Sequence, residues 1–299
     1  MAIGDIVTAS KYNEIQSRVV QIFGTGSGEF GYGQTMLSSQ LASSIIVNHV
    51  HMARLKTDLT KIIAHQTGTN PILTDVVTEA NITDAVYTEY FGVASTAFNN
   101  RFNIYELTQA DIETKLTSTR TSTWGVNDGA PAITHNFKVV FDDANHRRYF
   151  FNSGGQIRFN ATLIGGDTTL GSKGQNWSSM LNSLVEKFEH NSTLDQNNAV
   201  LTNIGNYNLT SDYQNIAQRQ GSGAYSENLY NIWARQTSTS VLQFTVEFID
   251  FDGGDAPDGS FNGDEPVSGI LTSSISQRQA TGSNVSVSTP AYKIVNELE

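Results

Sequence analysis

Residues Arg148–Leu163 have the sequence RYFFNSGGQIRFNATL, and they contain the clearest strand pattern in the chain. In the second half of this segment apolar and polar residues alternate, which is the period of a strand with one buried face. The apolar members are Ile157, Phe159, Ala161 and Leu163. Two glycines after Asn152-Ser153 offer the positive φ that tight hairpin turns need. The segment therefore predicts a β-hairpin with one apolar face and one amide-rich face.

The same alternation recurs along the second half of the chain and predicts further short strands. These are Phe137–Phe141, Val200–Ile204, Tyr207–Leu209, Tyr213–Ile216, Tyr230–Ala234 and Leu242–Phe248, with Val267–Ile275 and Val285–Val287 as edge strands. A helix is predicted near Trp177–Phe188, where apolar residues recur at helical spacing. Short strands at close intervals with one inserted helix favour an antiparallel sandwich over a βαβ sheet.

The first third of the chain has helical periodicity. Helices are predicted at 8–23, from Ser44 or Asn48 to His65, and from Thr83 to Arg101, because capping residues precede apolar residues at three- and four-residue steps. The stretch LTSTRTSTWG predicts a connector or an edge strand. The predicted fold class is therefore α+β. An N-terminal helical attachment and oligomerisation region, 1–125, is followed by an antiparallel β-sandwich-like body, 126–299.

The composition limits the kinds of partner. The formal net charge is −11, which argues against a nucleic-acid partner because a phosphate backbone requires clustered Lys and Arg. The chain has no cysteine, so disulfides, thiol catalysis and cysteine-based zinc sites are excluded. No secretory signal and no apolar segment of membrane-spanning length is visible. We therefore expect a chain that is made in a cytoplasm and has no membrane partner.

No motif in the sequence predicts catalysis or cofactor binding. The glycine-rich loop Thr25–Thr35 follows a helix and lacks the Lys-Ser/Thr pair of a phosphate-binding loop. A Gly-x-Ser-x-Gly nucleophile turn is also absent. We predict no enzyme activity, no cofactor and no metal site. The alternative is the acidic segment Asp250–Glu265, DFDGGDAPDGSFNGDE, whose carboxylates suit either calcium coordination or solvated turns.

Large side chains on the predicted helices are candidates for an interface. The third helix carries a heavy aromatic stripe, which indicates either packing against the first two helices or contact with a neighbouring subunit, because large aromatics are enriched at interfaces. The interface candidates are Tyr12, Ile15, Val19, Phe91, Phe98 and Phe102.

Several short segments resemble virion structural proteins of tailed bacteriophages, especially myophages and marine cyanophages. The most extended is Phe151–Phe159, FNSGGQIRF. Shorter similarities follow the same order in the chain: Asp5-Ile6-Val7 with Tyr12-Asn13, Asp58-Leu59 with His65–Gly68, Asn176-Trp177, and Phe248–Asp250 with Gly263–Glu265 and Val267–Gly269. The resemblance implies a homo-oligomeric component of the tail, baseplate, neck or an attached fibre, without catalytic residues.

The sequence therefore predicts a non-enzymatic structural subunit of a phage virion, assembled in the host cytoplasm. It would act through contacts with other virion proteins and with copies of itself. The alternative is a glycan-binding module for attachment to a host surface. In that alternative, aromatic side chains beside polar loops would stack on sugars, and the candidates are Trp124, Tyr225 and Tyr230.

Overall fold

The computed structural model describes residues 7–77, 82–105, 112–125, 132–182, 185–251 and 266–298. These residues form an α+β fold with an N-terminal helical region and two antiparallel sheets, which confirms the predicted fold class. The chain divides into two compact units. The helical unit comprises Met1–Asp111, Asp143–Gly155 and Gln279–Thr289, and the sandwich unit comprises Ile112–Asp142, Gln156–Arg278 and Pro290–Glu299.

The helical unit contains four α-helices among its described residues: α1 Ala9–Phe23, α2 His49–Thr67, α3 Asp84–Asn99 and α4 Ala144–Asn152. The first three agree closely with the sequence prediction. The side chain of Thr8 accepts a hydrogen bond from the Lys11 amide at the start of α1. At the start of α2, Asn48 and His51 form a reciprocal capping box. These caps satisfy amide groups that would otherwise have no partner within the helix.

The core of the helical unit lies between α1, α2 and α3. Its central side chains are fully buried and include Ile15, Val19, Leu55, Leu59, Ile62 and Tyr90. Ala280 and Val285, from the last segment of this unit, belong to the same core. The loop between α1 and α2 is attached to the buried carboxylate of Asp58, which accepts hydrogen bonds from the amides of Leu37 and Ser38.

The sandwich unit consists of eleven strands and one α-helix in the described part of the chain. They are β1 Ile112–Arg120, β2 Ile133–Val140, β3 Gln156–Ile164, α5 Lys173–Leu181, β4 Glu186–Phe188, β5 Thr193–Leu194, β6 Val200–Thr202, β7 Gln214–Gln220, β8 Leu229–Ser238, β9 Val241–Ile249, β10 Ile270–Arg278 and β11 Ala291–Asn296. The six-stranded sheet has the order β1-β10-β3-β4-β5-β6, and the five-stranded sheet has the order β11-β2-β9-β8-β7.

Aromatic rings fill the space between the two sheets. Phe159 and Phe188 of the six-stranded sheet both lie 5.3 Å, between ring centres, from Phe244 of the five-stranded sheet. Phe137 on β2 stacks on Phe244 at 5.4 Å. The alternation seen in the sequence is therefore the alternation between this core and the outer faces of the two sheets.

The predicted hairpin at Arg148–Leu163 is wrong in its first half. Its second half is β3, but the residues before it form α4. The Oδ1 atom of Asp143 accepts hydrogen bonds from the amides of Asn145 and His146, so Asp143 caps this helix. Gly154, with a φ of 86°, then follows the helix end in the left-handed conformation that commonly terminates helices.

Other boundaries also differ from the prediction. The helix expected at Trp177–Phe188 is α5, which ends at Leu181, and Phe188 lies on β4. No strand forms at Tyr207–Leu209, and the Val285–Val287 region contributes only the isolated bridge between Thr281 and Ser286. The expected division after residue 125 is replaced by one in which β1 already belongs to the sandwich unit.

Candidate functional site

Three of the six predicted interface residues are inside the protein. Tyr12, Ile15 and Val19 lie on the buried face of α1 and are at most 1% exposed. They pack in the core of the helical unit, so they cannot contact a partner while this unit is folded. The apolar spacing on α1 reflects burial in the core. An amphipathic helix has the same spacing whether its apolar face packs against its own chain or against another.

Phe91 remains partly exposed on α3. The guanidinium of Arg18 from α1 lies 4.5 Å from the centre of its ring. Tyr87 lies one helical turn before Phe91, and the centres of the two rings are 5.7 Å apart. The hydroxyl of Tyr87 donates to Glu14 at 2.7 Å. This hydrogen bond and burial raise the pKa of Tyr87 to about 12. Phe91 therefore sits in a fixed arrangement of aromatic and charged side chains.

Phe98 lies seven residues after Phe91 and so on the same side of α3. Its ring stacks on that of Phe30 at 5.7 Å. The guanidinium of Arg101 lies 5.1 Å from the ring of Phe98, 5.2 Å from that of Phe30 and 4.4 Å from that of Phe102. Each of these contacts is within the distance at which a cation is attracted to a ring face.

Together these side chains form a surface that we call the aromatic–arginine face. It consists of Arg18, Phe30, Phe91, Phe98, Arg101 and Phe102, all of them half-buried. Sequence reasoning found the three phenylalanines on or beside α3 and missed Phe30 and the two arginines. The spacing of Phe98 and Arg101 at i and i+3 was a visible signal, whereas the position of Phe30 depends on the path of a glycine-rich loop.

The sandwich unit contains a buried ion pair beside the predicted acidic segment. The ammonium of Lys173 at the start of α5 lies 3.0 Å from Oδ2 of Asp250, and both side chains are almost completely buried. The Lys173 ammonium also donates to the carbonyl of Gly125 at 3.4 Å. Asp250 therefore balances a lysine. The other acidic residues of the predicted calcium segment, from Asp252 to Glu265, lie outside the described residues.

A second charged cluster lies between the two sheets of the sandwich. Glu186 on β4 is fully buried and accepts a hydrogen bond from Nε of Arg219 on β7 at 3.3 Å. Burial raises the pKa of Glu186, and the nearby guanidinium opposes this shift. Burial also raises the pKa of Tyr230, which interacts with the same carboxylate. These groups join the two sheets. In the described part of the chain no three His, Asp or Glu residues are grouped so that they could hold a metal ion.

Two of the three aromatic residues considered for glycan binding are buried. Tyr230 has no exposed surface, and Trp124 is 6% exposed. Trp124 packs edge-to-face on Trp177 at 4.8 Å and forms an isolated bridge with Val267. Tyr225, in a short 3₁₀ turn at Gly223–Tyr225, is half-buried. Trp124 and Tyr230 are therefore core residues and cannot stack on a sugar.

Comparisons with protein-family models, with curated proteins and with solved structures found no match to this chain. Among the described helices, none combines the length and the apolar character that a membrane crossing requires.

Proposed function

We propose that this protein is a non-enzymatic structural subunit of a tailed-phage virion, in the tail, baseplate or neck region. It acts by assembling with copies of itself and with other virion proteins. The observation that carries the assembly role is the aromatic–arginine face. The virion assignment rests on the resemblance of Phe151–Phe159 and the shorter segments to phage structural proteins.

The composition of the aromatic–arginine face favours protein contact. Phenylalanine and arginine are enriched at the centres of protein interfaces, whereas Lys and Glu are depleted there. A partner that covered Phe91 and Phe98 would bury ring surface that is already half-removed from water, with little further ordering of the side chains. Arg18 and Arg101 are positioned against these rings. Arg101 is already paired with Glu29, with 3.5 Å between its Nη2 atom and Oε2 of the carboxylate. Arg18 is therefore the cation of this face that a partner carboxylate can bind.

Self-assembly is tested by sedimentation velocity of the full chain at micromolar concentration. We expect a discrete oligomer for the unaltered chain. The double substitution Phe91→Gln and Phe98→Gln should shift it towards monomer, because two apolar anchors become polar at the proposed contact. Thr96→Gln is the matched control, since Thr96 is exposed on α3 two residues from Phe98 and so on a different side of the helix.

A monomer of the unaltered chain at these concentrations would overturn self-assembly. If the double variant forms an equally stable oligomer, the interface does not include the aromatic–arginine face. Far-ultraviolet circular dichroism and a thermal melt establish that each variant is folded. Location in a virion is tested separately, by labelling purified phage particles with antibodies against this chain. Absence of the label from intact and from opened particles would contradict the virion assignment.

A further inference from the structure

The outer face of the five-stranded sheet carries a groove with a volume of about 340 Å³. It is lined by Tyr213, Trp233, Thr245 and Glu247. The strand register brings these residues together, because Trp233 on β8 is directly opposite Thr245 on β9. The volume lies at the lower end of the range of about 300–1,000 Å³ that is usual for small-molecule pockets. The members of this groove are far apart in the sequence, since Tyr213 lies immediately before β7, Trp233 is on β8, and Thr245 and Glu247 are on β9.

A hydrogen-bond network fixes the carboxylate of Glu247. Its Oε2 atom accepts from Nε1 of Trp233 at 2.9 Å and from Nδ2 of Asn231 at 3.3 Å. Asn231 is buried, and its Oδ1 atom accepts from Gln218 at 3.0 Å and from Asn215 at 3.3 Å. Within the described residues, Oε1 of Glu247 has no hydrogen-bond partner. One carboxylate oxygen is thus oriented by the protein, and the other is available to a ligand.

The second aromatic ring of the groove is also held in place. Tyr213 is 40% exposed, and its hydroxyl accepts a hydrogen bond from Oγ1 of Thr245 at 3.4 Å. The guanidinium of Arg235 lies 4.4 Å from the centre of the tyrosine ring. Arg235 in turn donates to Oε1 of Gln243 at 3.0 Å. The groove therefore offers two positioned rings and a positioned acceptor, at little cost in side-chain ordering when a ligand binds.

The charges in the groove select the class of ligand. A cation would be attracted by Glu247, but the guanidinium of Arg235 already interacts with the ring of Tyr213 and would repel a second positive charge there. An anion would be repelled by Glu247. A neutral ligand that has both hydroxyl groups and C–H groups on a saturated ring suits the carboxylate and the aromatic rings of the groove. Hydroxyl groups donate to the carboxylate, and C–H groups contact the electron-rich faces of the aromatic rings.

We propose that this groove binds a pyranose unit of a saccharide. The sugar ring stacks on Trp233 beside Tyr213, whose ring Arg235 already contacts, and its hydroxyl groups donate to Oε1 of Glu247. This site lies in the sandwich unit. It does not include Trp124, Tyr225 or Tyr230, which the sequence suggested for glycan binding. The proposal does not depend on the assembly role of the aromatic–arginine face.

Tryptophan fluorescence gives a direct test, because the chain has three tryptophans and Trp233 is half-buried whereas the other two are buried. Trp124 is 6% exposed and Trp177 is fully buried. Acrylamide should therefore quench mainly Trp233. We expect at least one member of a panel of methyl α- and β-pyranosides of glucose, galactose, mannose, N-acetylglucosamine and fucose to reduce this quenching saturably. The same sugar should give saturation-transfer signals in NMR spectra of the full chain.

Substitutions assign the binding to the groove. Tyr213→Ala removes one ring, and Glu247→Ala removes the acceptor, so each should weaken binding at least tenfold. Glu247→Gln retains an acceptor oxygen and should weaken binding less than Glu247→Ala does. Tyr105→Ala is the matched control, since Tyr105 is 65% exposed in the helical unit, and it should leave the affinity unchanged.

Several results would overturn the proposal. One is that no pyranoside of the panel protects Trp233 or gives saturation-transfer signals. Another is that Tyr213→Ala and both Glu247 variants are folded and bind the sugar as tightly as the unaltered chain. Protection by tetramethylammonium chloride and by no pyranoside would identify the groove as a cation site instead.

Discussion

The imidazole of His135 on β2 and the hydroxyl of Ser273 on β10 form a hydrogen bond between the two sheets of the sandwich, with 3.0 Å between Nδ1 and Oγ. His135 is fully buried, and in the described part of the chain its Nε2 atom has no hydrogen-bond partner. Burial lowers the pKa of His135 to about 4. The ring is therefore neutral in the folded protein at neutral pH.

The stability of the protein should consequently depend on His135 in mildly acidic solution. An unfolded histidine has a pKa near 6.5, so between about pH 6.5 and 4 the unfolded state binds more protons than the folded state does. The free energy of unfolding should fall as the pH is lowered through this window, with a contribution on the order of 2–3 kcal/mol from this residue. Denaturant unfolding of the unaltered chain and of His135→Gln at several pH values measures the difference.

The difference between these two pH profiles isolates the histidine from the carboxylates, which also affect acid unfolding. His49→Gln is the control, because His49 is half-exposed at the first position of α2. Parallel profiles for the unaltered chain and His135→Gln would contradict the assignment.

The ion pair between Lys173 and Asp250 should show strong coupling in a double-mutant cycle. Lys173→Met removes the cation and leaves the Asp250 carboxylate in a site from which water is excluded, so the free energy of unfolding should fall by about 3–5 kcal/mol. Adding Asp250→Asn to the same chain should recover much of this loss, because it removes the negative charge that Lys173 balances in the unaltered chain. Additive losses in denaturant unfolding would show that the two charges do not stabilise each other.

Asp58 should determine the stability of the loop between α1 and α2. Asp58→Asn replaces one carboxylate oxygen by an NH2 group that faces the amides of Leu37 and Ser38, so we expect a loss of about 2–3 kcal/mol. Asp195→Asn is a matched control, since Asp195 accepts two backbone amides in a surface turn. The control should change stability by less than about 0.5 kcal/mol. Amide hydrogen exchange should increase at Leu37 and Ser38 in the first variant, and unchanged exchange there would argue against this role.

Gly33 should be intolerant of a side chain. It has a φ of 72°, and a Cβ atom would lie 2.4 Å from the ring of Tyr149. Gly33→Ala should destabilise the chain by about 2–4 kcal/mol through backbone strain and this overlap. Gly28→Ala separates the two causes, because Gly28 also has a positive φ, of 57°, but has open space at the Cβ position. Equal thermal shifts for the two variants would mean that the overlap with Tyr149 is relieved without cost.

The sequence predicted the elements whose periodicity is local. Helices α1 to α3 and strands β2, β3 and β9 were recognised because capping residues and alternation are properties of neighbouring residues. Helix α4 was missed because Asp143 can initiate a tight turn or cap a helix, and Tyr149–Phe151 favours a strand by composition. The capping hydrogen bonds of Asp143 and the burial of Phe150 and Phe151 stabilise the helix at this position.

The candidate sites were predicted less well, for a reason of geometry. Tyr12, Ile15 and Val19 had the pattern expected of any buried helix face, and a pattern does not say which chain provides the cover. The groove residues come from three separate parts of the chain: Tyr213 lies immediately before β7, Trp233 is on β8 and Glu247 is on β9. They become neighbours only through the register of β7, β8 and β9, which depends on non-local pairing.

The return of residues 143–155 and 279–289 to the helical unit has a consequence for synthesis of the chain. When the ribosome has made α3, the core of this unit still lacks Ala280 and Val285, which follow β10 in the chain. The N-terminal unit therefore cannot complete its core first, as a contiguous N-terminal domain does. Its core is completed only after most of the sandwich sequence has emerged, so chains with an incomplete sandwich would also lack a complete helical core.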